Sequence, residues 1–172
     1  MHRLATIAGE GSEQDLTLVE QPSAPVLFIT SALTDIATLS SAILIPEQKE
    51  WKGFIRALPI TALEHNSQVD HYLSTTGDNA KLIIVRLLGG RGHWSYGLEK
   101  LKLWQELSND RKLIVVAGIE EQEVELHSIG NVDLKTTNRI SKLLRIGGHE
   151  NFCKVLTLFK HIINDTNFDI NK

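Results

Sequence analysis

Cysteine is nearly absent from this 172-residue sequence. It occurs once, at position 153, so no internal disulfide can form, and that usage fits a reducing, cytoplasmic compartment. No apolar run approaches the roughly 20 residues that a helix needs to cross a bilayer. The opening stretch from Met1 to Gly9 also lacks the apolar core of a secretory signal. Lysine and arginine number 18 against 21 aspartates and glutamates, which leaves no cationic excess to hold a nucleic-acid backbone or an acidic membrane surface. The expected partners therefore include neither nucleic acid nor a membrane.

Several catalytic signatures are missing as well. There is no G-x-S-x-G elbow, and Cys153 lies in an apolar helical pattern, so a serine or cysteine triad has no support. The histidines at 2, 65, 71, 93, 127 and 161 are scattered without HExxH spacing. His149, Glu150 and Cys153 could share a helical face as metal ligands, but a helix start followed by a core cysteine accounts for them better, and no metal centre is expected. Gly92 and Gly97 have the gap of a phosphate loop, yet Leu98-Glu99 stands where Lys-Ser or Lys-Thr would neutralise phosphates and hold magnesium. The chain should not hydrolyse ATP by itself. Gly90-Arg91-Gly92-His93-Trp94-Ser95 falls one glycine short of the dinucleotide pattern and follows a third strand instead of opening the domain.

What is present is alternation. About four-tenths of the residues are apolar, enough for one compact domain with a true core. Strand patterns occur at Pro25–Ser31, Gly53–Pro59, Lys81–Val85 and Lys112–Ala117, the second of them less apolar and so expected nearer an edge. Helical spacing follows each of the first three. Ile36, Leu39 and Ile43 run until Pro46; Val69, Tyr72 and Leu73 follow a Thr61/Glu64 capping-box spacing, with Gly77 placed for a left-handed stop; Trp94, Leu98, Leu101 and Trp104 form the third set. After the polar stretch Gly118–Glu125, Val132–Ile146 reads as a helix ended by Gly147-Gly148, and Phe152 to Ile163 as a last one. This pattern predicts an α/β fold: a flavodoxin-like, doubly wound, mainly parallel sheet with flanking helices. A small N-terminal β-hairpin from the runs His2–Ala8 and Leu16–Glu20 should precede it. The expected parts are a hairpin and linker over 1–24, the α/β domain over 25–146, and a C-terminal helix and tail over 147–172.

With strand order 2-1-3-4, the switch point falls between the Val26 and Leu82 strands, where such sheets receive ligands. Thr30, Ser31 and Asp35 would line one side of that crevice and Arg86, Gly89, Gly90, Arg91, His93, Trp94, Ser95 and Tyr96 the other. Two readings stay open. The glycine-flanked helix start, reinforced by Arg86 and Arg91, could bind a carboxylate. Alternatively the glycines only make a tight turn, Arg86 pairs with a neighbour such as Asp35, and Trp94 and Tyr96 pack on the sheet.

The run Arg86-Leu87-Leu88-Gly89-Gly90-Arg91 followed by Trp94-Ser95-Tyr96-Gly97-Leu98-Glu99 resembles a signature near the amino end of the cobaltochelatase large subunit, a family similar to the large subunit of magnesium chelatase. His2-Arg3-Leu4, Val26 to Asp35, Leu113 to Gly118 and Leu144 to Asn151 extend the resemblance over most of the chain. Glu120, Glu121, Glu123 and Glu125 depart from the proline- and aspartate-bearing loop of that family. The resemblance implies an amino-terminal part of a much longer subunit that inserts Co2+, as substrate, into hydrogenobyrinic acid a,c-diamide during aerobic cobalamin synthesis. It implies as partners the remainder of the large subunit and two smaller subunits, one an AAA+ ATPase, through which ATP and Mg2+ act. No cofactor is expected to bind tightly to this part alone, which should be inactive by itself. The other expectations are a magnesium chelatase domain acting on a porphyrin, or a stand-alone small-ligand or protein-docking domain. In the chelatase reading the arginines meet carboxylates of the corrinoid, and Trp94 or Tyr96 lies against the macrocycle.

Overall fold

The computed structural model describes residues 16–164. Four parallel strands, β1 (Val26–Thr30), β2 (Ile55–Pro59), β3 (Leu82–Leu87) and β4 (Lys112–Ala117), form one sheet in the order β2-β1-β3-β4. The expected doubly wound arrangement is therefore present, and the reversal of strand order falls between β1 and β3. β1, β3 and β4 are buried almost throughout, which explains their continuous β-branched and leucine runs: a parallel sheet with both faces covered has no solvent side to alternate with.

The pleat divides the side chains between two cores. Leu27, Ile29, Ile83, Val85, Leu113 and Val115 meet Tyr72 of α2 (Asn66–Ser74), Leu98, Leu101 and Trp104 of α3 (Ser95–Glu106), and Leu126 of α4 (Glu123–His127). Val26, Phe28, Leu82, Ile84, Ile114 and Val116 meet the other layer. There they pack on Leu39 of α1 (Leu33–Ala42), Ile140 and Leu144 of α5 (Leu134–Ile146), and Phe152, Val155, Leu156 and Phe159 of α6 (His149–Asn164). The two closing helices thus belong to the same core as the sheet. α5 starts on Asp133, whose carboxylate accepts from Thr136 N at 2.9 Å. It ends at Gly147 and Gly148, both at positive φ (70° and 84°), and this pair of left-handed residues turns the chain back into α6. No described helix is long and apolar enough to cross a membrane.

Three expectations need correction. The first arm of the N-terminal hairpin lies outside the described residues, and the second, Leu16–Glu20, is not a strand. Its neighbourhood is pinned by side chains instead of a ladder. Gln68 Nε2 donates to Thr17 O (2.9 Å), Thr76 Oγ1 to Gln21 O (2.9 Å), Arg56 Nε to Pro22 O (3.1 Å) and Gln21 Nε2 to Ala57 O (3.1 Å). The segment is a strap across α2 and the outer edge of β2. Second, the helix after β2 starts at Asn66, three residues beyond a 3-10 turn over Ile60–Leu63, and its box is made by Gln68 Oε1 accepting from His65 N (3.0 Å), not by Thr61 and Glu64. Gly77 has no positive φ; a Cβ there would lie 2.9 Å from the backbone of Leu73, so glycine serves close approach. Third, the polar stretch after β4 is not loose. It forms a 3-10 turn over Glu120–Gln122 and then α4, because Arg145 at the end of α5 supplies the countercharge, reaching Glu123 at 2.6 Å and Glu120 at 3.4 Å.

Tyr72 joins strap and core. Its ring is fully buried, its hydroxyl donates to Gln21 Oε1 at 3.0 Å, and burial holds its phenol well above the ordinary range, with Arg56 opposing. The folded state keeps this proton more tightly than the unfolded chain. The associated stability is therefore complete below the unfolded value of about 10 and is lost as pH rises beyond it. Tyr72→Phe should cost about 1 kcal/mol at neutral pH, the worth of one hydrogen bond, and should flatten the alkaline loss seen in urea unfolding between about pH 9 and 11.

Candidate functional site

The carboxyl ends of β1 and β3 carry the polar residues that the strand order singles out. Thr30 and Arg86 are register partners on these adjacent strands. Both share the pleat parity of Phe28 and Ile84, so both turn to the face where α1 begins. Asp35, in the first turn of α1, meets them there. Arg86 Nη1 donates to Asp35 Oδ1 (2.5 Å), Thr30 Oγ1 donates to Asp35 Oδ2 (2.7 Å), and Ala32 N donates to Thr30 Oγ1 (3.0 Å). The Asp35 and Arg86 side chains are only 5% and 11% exposed. Arg86 Nε is buried too and has no acceptor among the described residues. Ser31 closes the span from the backbone side: its N donates to Arg86 O (2.9 Å), and its hydroxyl accepts from Leu88 N (3.2 Å).

Beyond this network the chain leaves β3 through Gly89 and Gly90, at φ 96° and 82°, conformations that favour glycine. Two side chains also lie close to these glycines. A Cβ on Gly89 would come within 2.7 Å of the His93 imidazole, and one on Gly90 within 3.0 Å of Gln122 Nε2. Arg91–His93 form a single 3-10 turn, after which α3 begins at Ser95 without a side-chain cap. Arg91, Gly92, His93 and Ser95 are exposed.

The aromatic residues behave differently from one another. Trp94 is a core residue, 6% exposed, with Nε1 donating to Leu63 O at 2.9 Å, and its indole fills the space that a Cβ at Gly97 would need. It packs beneath the loop, so its ring does not face a ligand. Tyr96 is half-buried, and its hydroxyl donates to the Asp70 carboxylate (2.8 and 3.0 Å to the two oxygens) with Lys100 Nζ 5.3 Å from its ring centre.

The residues named from sequence are thus assembled in one place but in two layers. Thr30, Ser31, Asp35, Arg86 and Trp94 form the supporting interior, as the tight-turn reading expects of Arg86 and Trp94, whereas Arg91, His93 and Ser95 stand outside with the Gly89–Gly90 backbone. Sequence reasoning missed Gln122, which lies over Gly90, and Asp70, which holds Tyr96. Nothing in their spacing betrays either, since each reaches the loop from a different element.

The group at the start of α6 does not assemble as a ligand set. Cys153 Sγ is 3.9 Å from His149 Nδ1, but Glu150 is engaged by Lys154 at 2.7 Å. Burial pushes the Cys153 thiol up, and Glu47 and Glu150 add to this, which disfavours the thiolate that metal binding or nucleophilic attack requires. A separate recess of about 110 Å³ lies at the opposite end of the sheet, between Trp51, Phe54 and the end of α6.

No family model matches the chain. It is similar to the aerobic cobaltochelatase subunit CobN of Pseudomonas aeruginosa, with 30% identity over 153 residues that make up 88% of this chain and 12% of that protein. A protein of the same name from a Sinorhizobium species is 27% identical over 131 residues, 76% of this chain and 10% of its own. Among solved structures, the catalytic subunit of cobaltochelatase from Mycobacterium tuberculosis superposes with a TM-score of 0.64 at 19% identity, over 86% of this chain and 11% of the other. At that identity the likeness establishes the fold. The chain spans about one-tenth of the length of the proteins it matches.

The buried pair makes a testable demand. Asp35→Ala strands a buried guanidinium and should cost about 3–5 kcal/mol in urea unfolding, whereas Asp35→Leu combined with Arg86→Leu should cost distinctly less than the two single changes added together. Additive losses would show that the pair is not coupled.

Proposed function

Because homologues named aerobic cobaltochelatase subunit CobN cover most of this chain, we propose that it is a domain of a cobaltochelatase large subunit. In this reading the complete enzyme inserts Co2+ into the corrin precursor hydrogenobyrinic acid a,c-diamide in aerobic cobalamin synthesis. ATP and Mg2+ act through two smaller subunits, one of the AAA+ type, and the remainder of the large subunit encloses the macrocycle. The absence of Lys-Ser or Lys-Thr after Gly97 agrees with nucleotide chemistry residing elsewhere.

The observation that carries the reading is the similarity to CobN over 88% of the chain. The loop between β3 and α3 supplies the chemistry. The substrate is a polycarboxylate, and the loop offers the exposed Arg91 guanidinium, His93, the Ser95 hydroxyl and the first amides of an uncapped helix, all suited to donating hydrogen bonds to anionic oxygens. Arg86 does not join them, because its charge is already matched by Asp35. Its role is to hold β1 to β3 so that the glycine turn stays open. Gln122 and Trp94 brace that turn from the β4 side and from below. No residue here is assigned to the metal-insertion step.

Titration of the chain with hydrogenobyrinic acid a,c-diamide, followed calorimetrically, tests this. Arg91→Ala should weaken binding by about 1.5–3 kcal/mol, the range for a hydrogen bond to a charged group. Unaltered affinity would remove Arg91 from the site, and absence of binding by the wild-type chain would remove the loop. The chain alone should not insert cobalt; insertion without any other subunit would overturn the assignment of chelation to the rest of the enzyme.

A further inference from the structure

The glycine turn rests against a side chain that is not held through its own carbonyl. Gln122, in the 3-10 turn after β4, brings its Nε2 to 3.0 Å and its Cδ to 3.5 Å from the point where a Cβ on Gly90 would stand. Its Oε1 is buried and has no hydrogen-bond partner among the described residues. A buried amide oxygen left unmatched gives the side chain no anchor of its own, so the short backbone segment that carries Gln122 sets where the amide lies.

That segment is fixed from α5. The fully buried Ser141 donates its hydroxyl to Glu123 Oε1 at 3.0 Å, and Arg145 Nη1 stands 2.6 Å from the same oxygen. Arg145 Nη2 lies 3.4 Å from Glu120, on the other side of Gln122 in the sequence. One guanidinium therefore holds the carboxylates on both flanks of Gln122. The Nη1 contact lies outside hydrogen-bond geometry and acts as an ion pair, governed by charge and not by directed N–H groups. With side chains 21% and 23% exposed, the Arg145–Glu123 pair is screened less than one on open surface. Neutralisation of an acidic stretch does not explain the choice of partners. Glu121 and Glu125 are exposed and have no ion pair among the described residues, whereas the two glutamates that bracket Gln122 are held.

We propose that Arg145 is a positioning residue for the glycine turn, acting through Glu123 and Gln122: α5 fixes the 3-10 turn, and the 3-10 turn places the Gln122 amide against Gly90. The coupling between α5 and the turn stands without any substrate. Its effect on affinity rests on the corrinoid reading above.

The test uses the whole 15N-labelled chain, with circular dichroism checking the fold, and reads two quantities. The first is the backbone amide shifts of Gly89 and Gly90; the second is affinity for hydrogenobyrinic acid a,c-diamide. Arg145→Met and Glu123→Ala should both move the glycine signals and weaken binding by about threefold or more, although they change net charge in opposite directions. Arg145→Lys, which keeps the charge, should retain the native shifts. Gln122→Ala alone should reproduce the change at Gly90, and adding Arg145→Met to it should weaken binding no further. Arg111→Met breaks a pair with Asp78 at the amino ends of β3 and β4 and should leave both readouts unchanged. Unmoved Gly90 signals in folded Arg145→Met or in Gln122→Ala would overturn the proposal. So would opposite affinity changes in Arg145→Met and Glu123→Ala, which would reduce the effect to charge, or additive losses in the double variant. Should the wild-type chain not bind the corrinoid, the substrate reading falls, and the glycine shifts still decide this inference.

Discussion

The Asp35 carboxylate holds this fold together at the point where the strand order reverses. It receives a guanidinium from β3 and a hydroxyl from β1 while sitting in the first turn of α1, so one nearly buried charge ties three elements together. A reversal of strand order ordinarily leaves a crevice, because the connections from neighbouring strands leave toward opposite faces. Here the two walls are joined by the ion pair and by Ser31, which bonds both Arg86 O and Leu88 N. The crevice floor is consequently a finished part of the interior, and the glycine turn lies one layer above it.

That turn is fixed from several directions. Left-handed backbone at Gly89 and Gly90 sets its path, the His93 ring covers one glycine, Gln122 covers the other, and Trp94 anchors the start of α3 beneath it. Gln122 owes its position to the 3-10 turn after β4, next to the acidic residues held by Arg145 from α5. A loop between β3 and α3 is thus shaped partly by residues some thirty to sixty positions later in the chain.

Much of this was legible in the residues. Continuous apolar runs mark strands covered on both faces, and β4 begins and ends where its pattern does, at Lys112 and Ala117. The helix-ending role of Gly147-Gly148 followed from an equally local signal, whereas the order of strands, β2-β1-β3-β4, was taken as the one common to this kind of sheet. The candidate site was legible as a location but not as a hierarchy. Tryptophan beside two arginines suggests a ligand face and a packed turn equally well, and only the distance from Trp94 to Leu63 O decides between them. The strap was misread for a related reason. Leu16–Glu20 has strand-like composition, but its surroundings are fixed by Gln68, Thr76 and Arg56, whose side chains reach across tens of residues and leave no local trace. α4 escaped notice because four glutamates in six residues look solvated until Arg145 is seen.

The two flanks of the sheet have a consequence for how this domain can live beside other chains. Gln21 and Arg56 tie the strap to β2, while at β4 Asn131 N donates to Leu113 O (3.0 Å) and Leu113 N donates to Asn131 Oδ1 (2.7 Å), so the loop between α4 and α5 takes up backbone groups that a fifth strand would otherwise use. Each border strand thus has part of its outer backbone occupied, which hinders pairing with foreign backbone, the event that seeds fibrous aggregation and swapped dimers. Here the guard against it comes from irregular chain, leaving the strands themselves free to remain apolar.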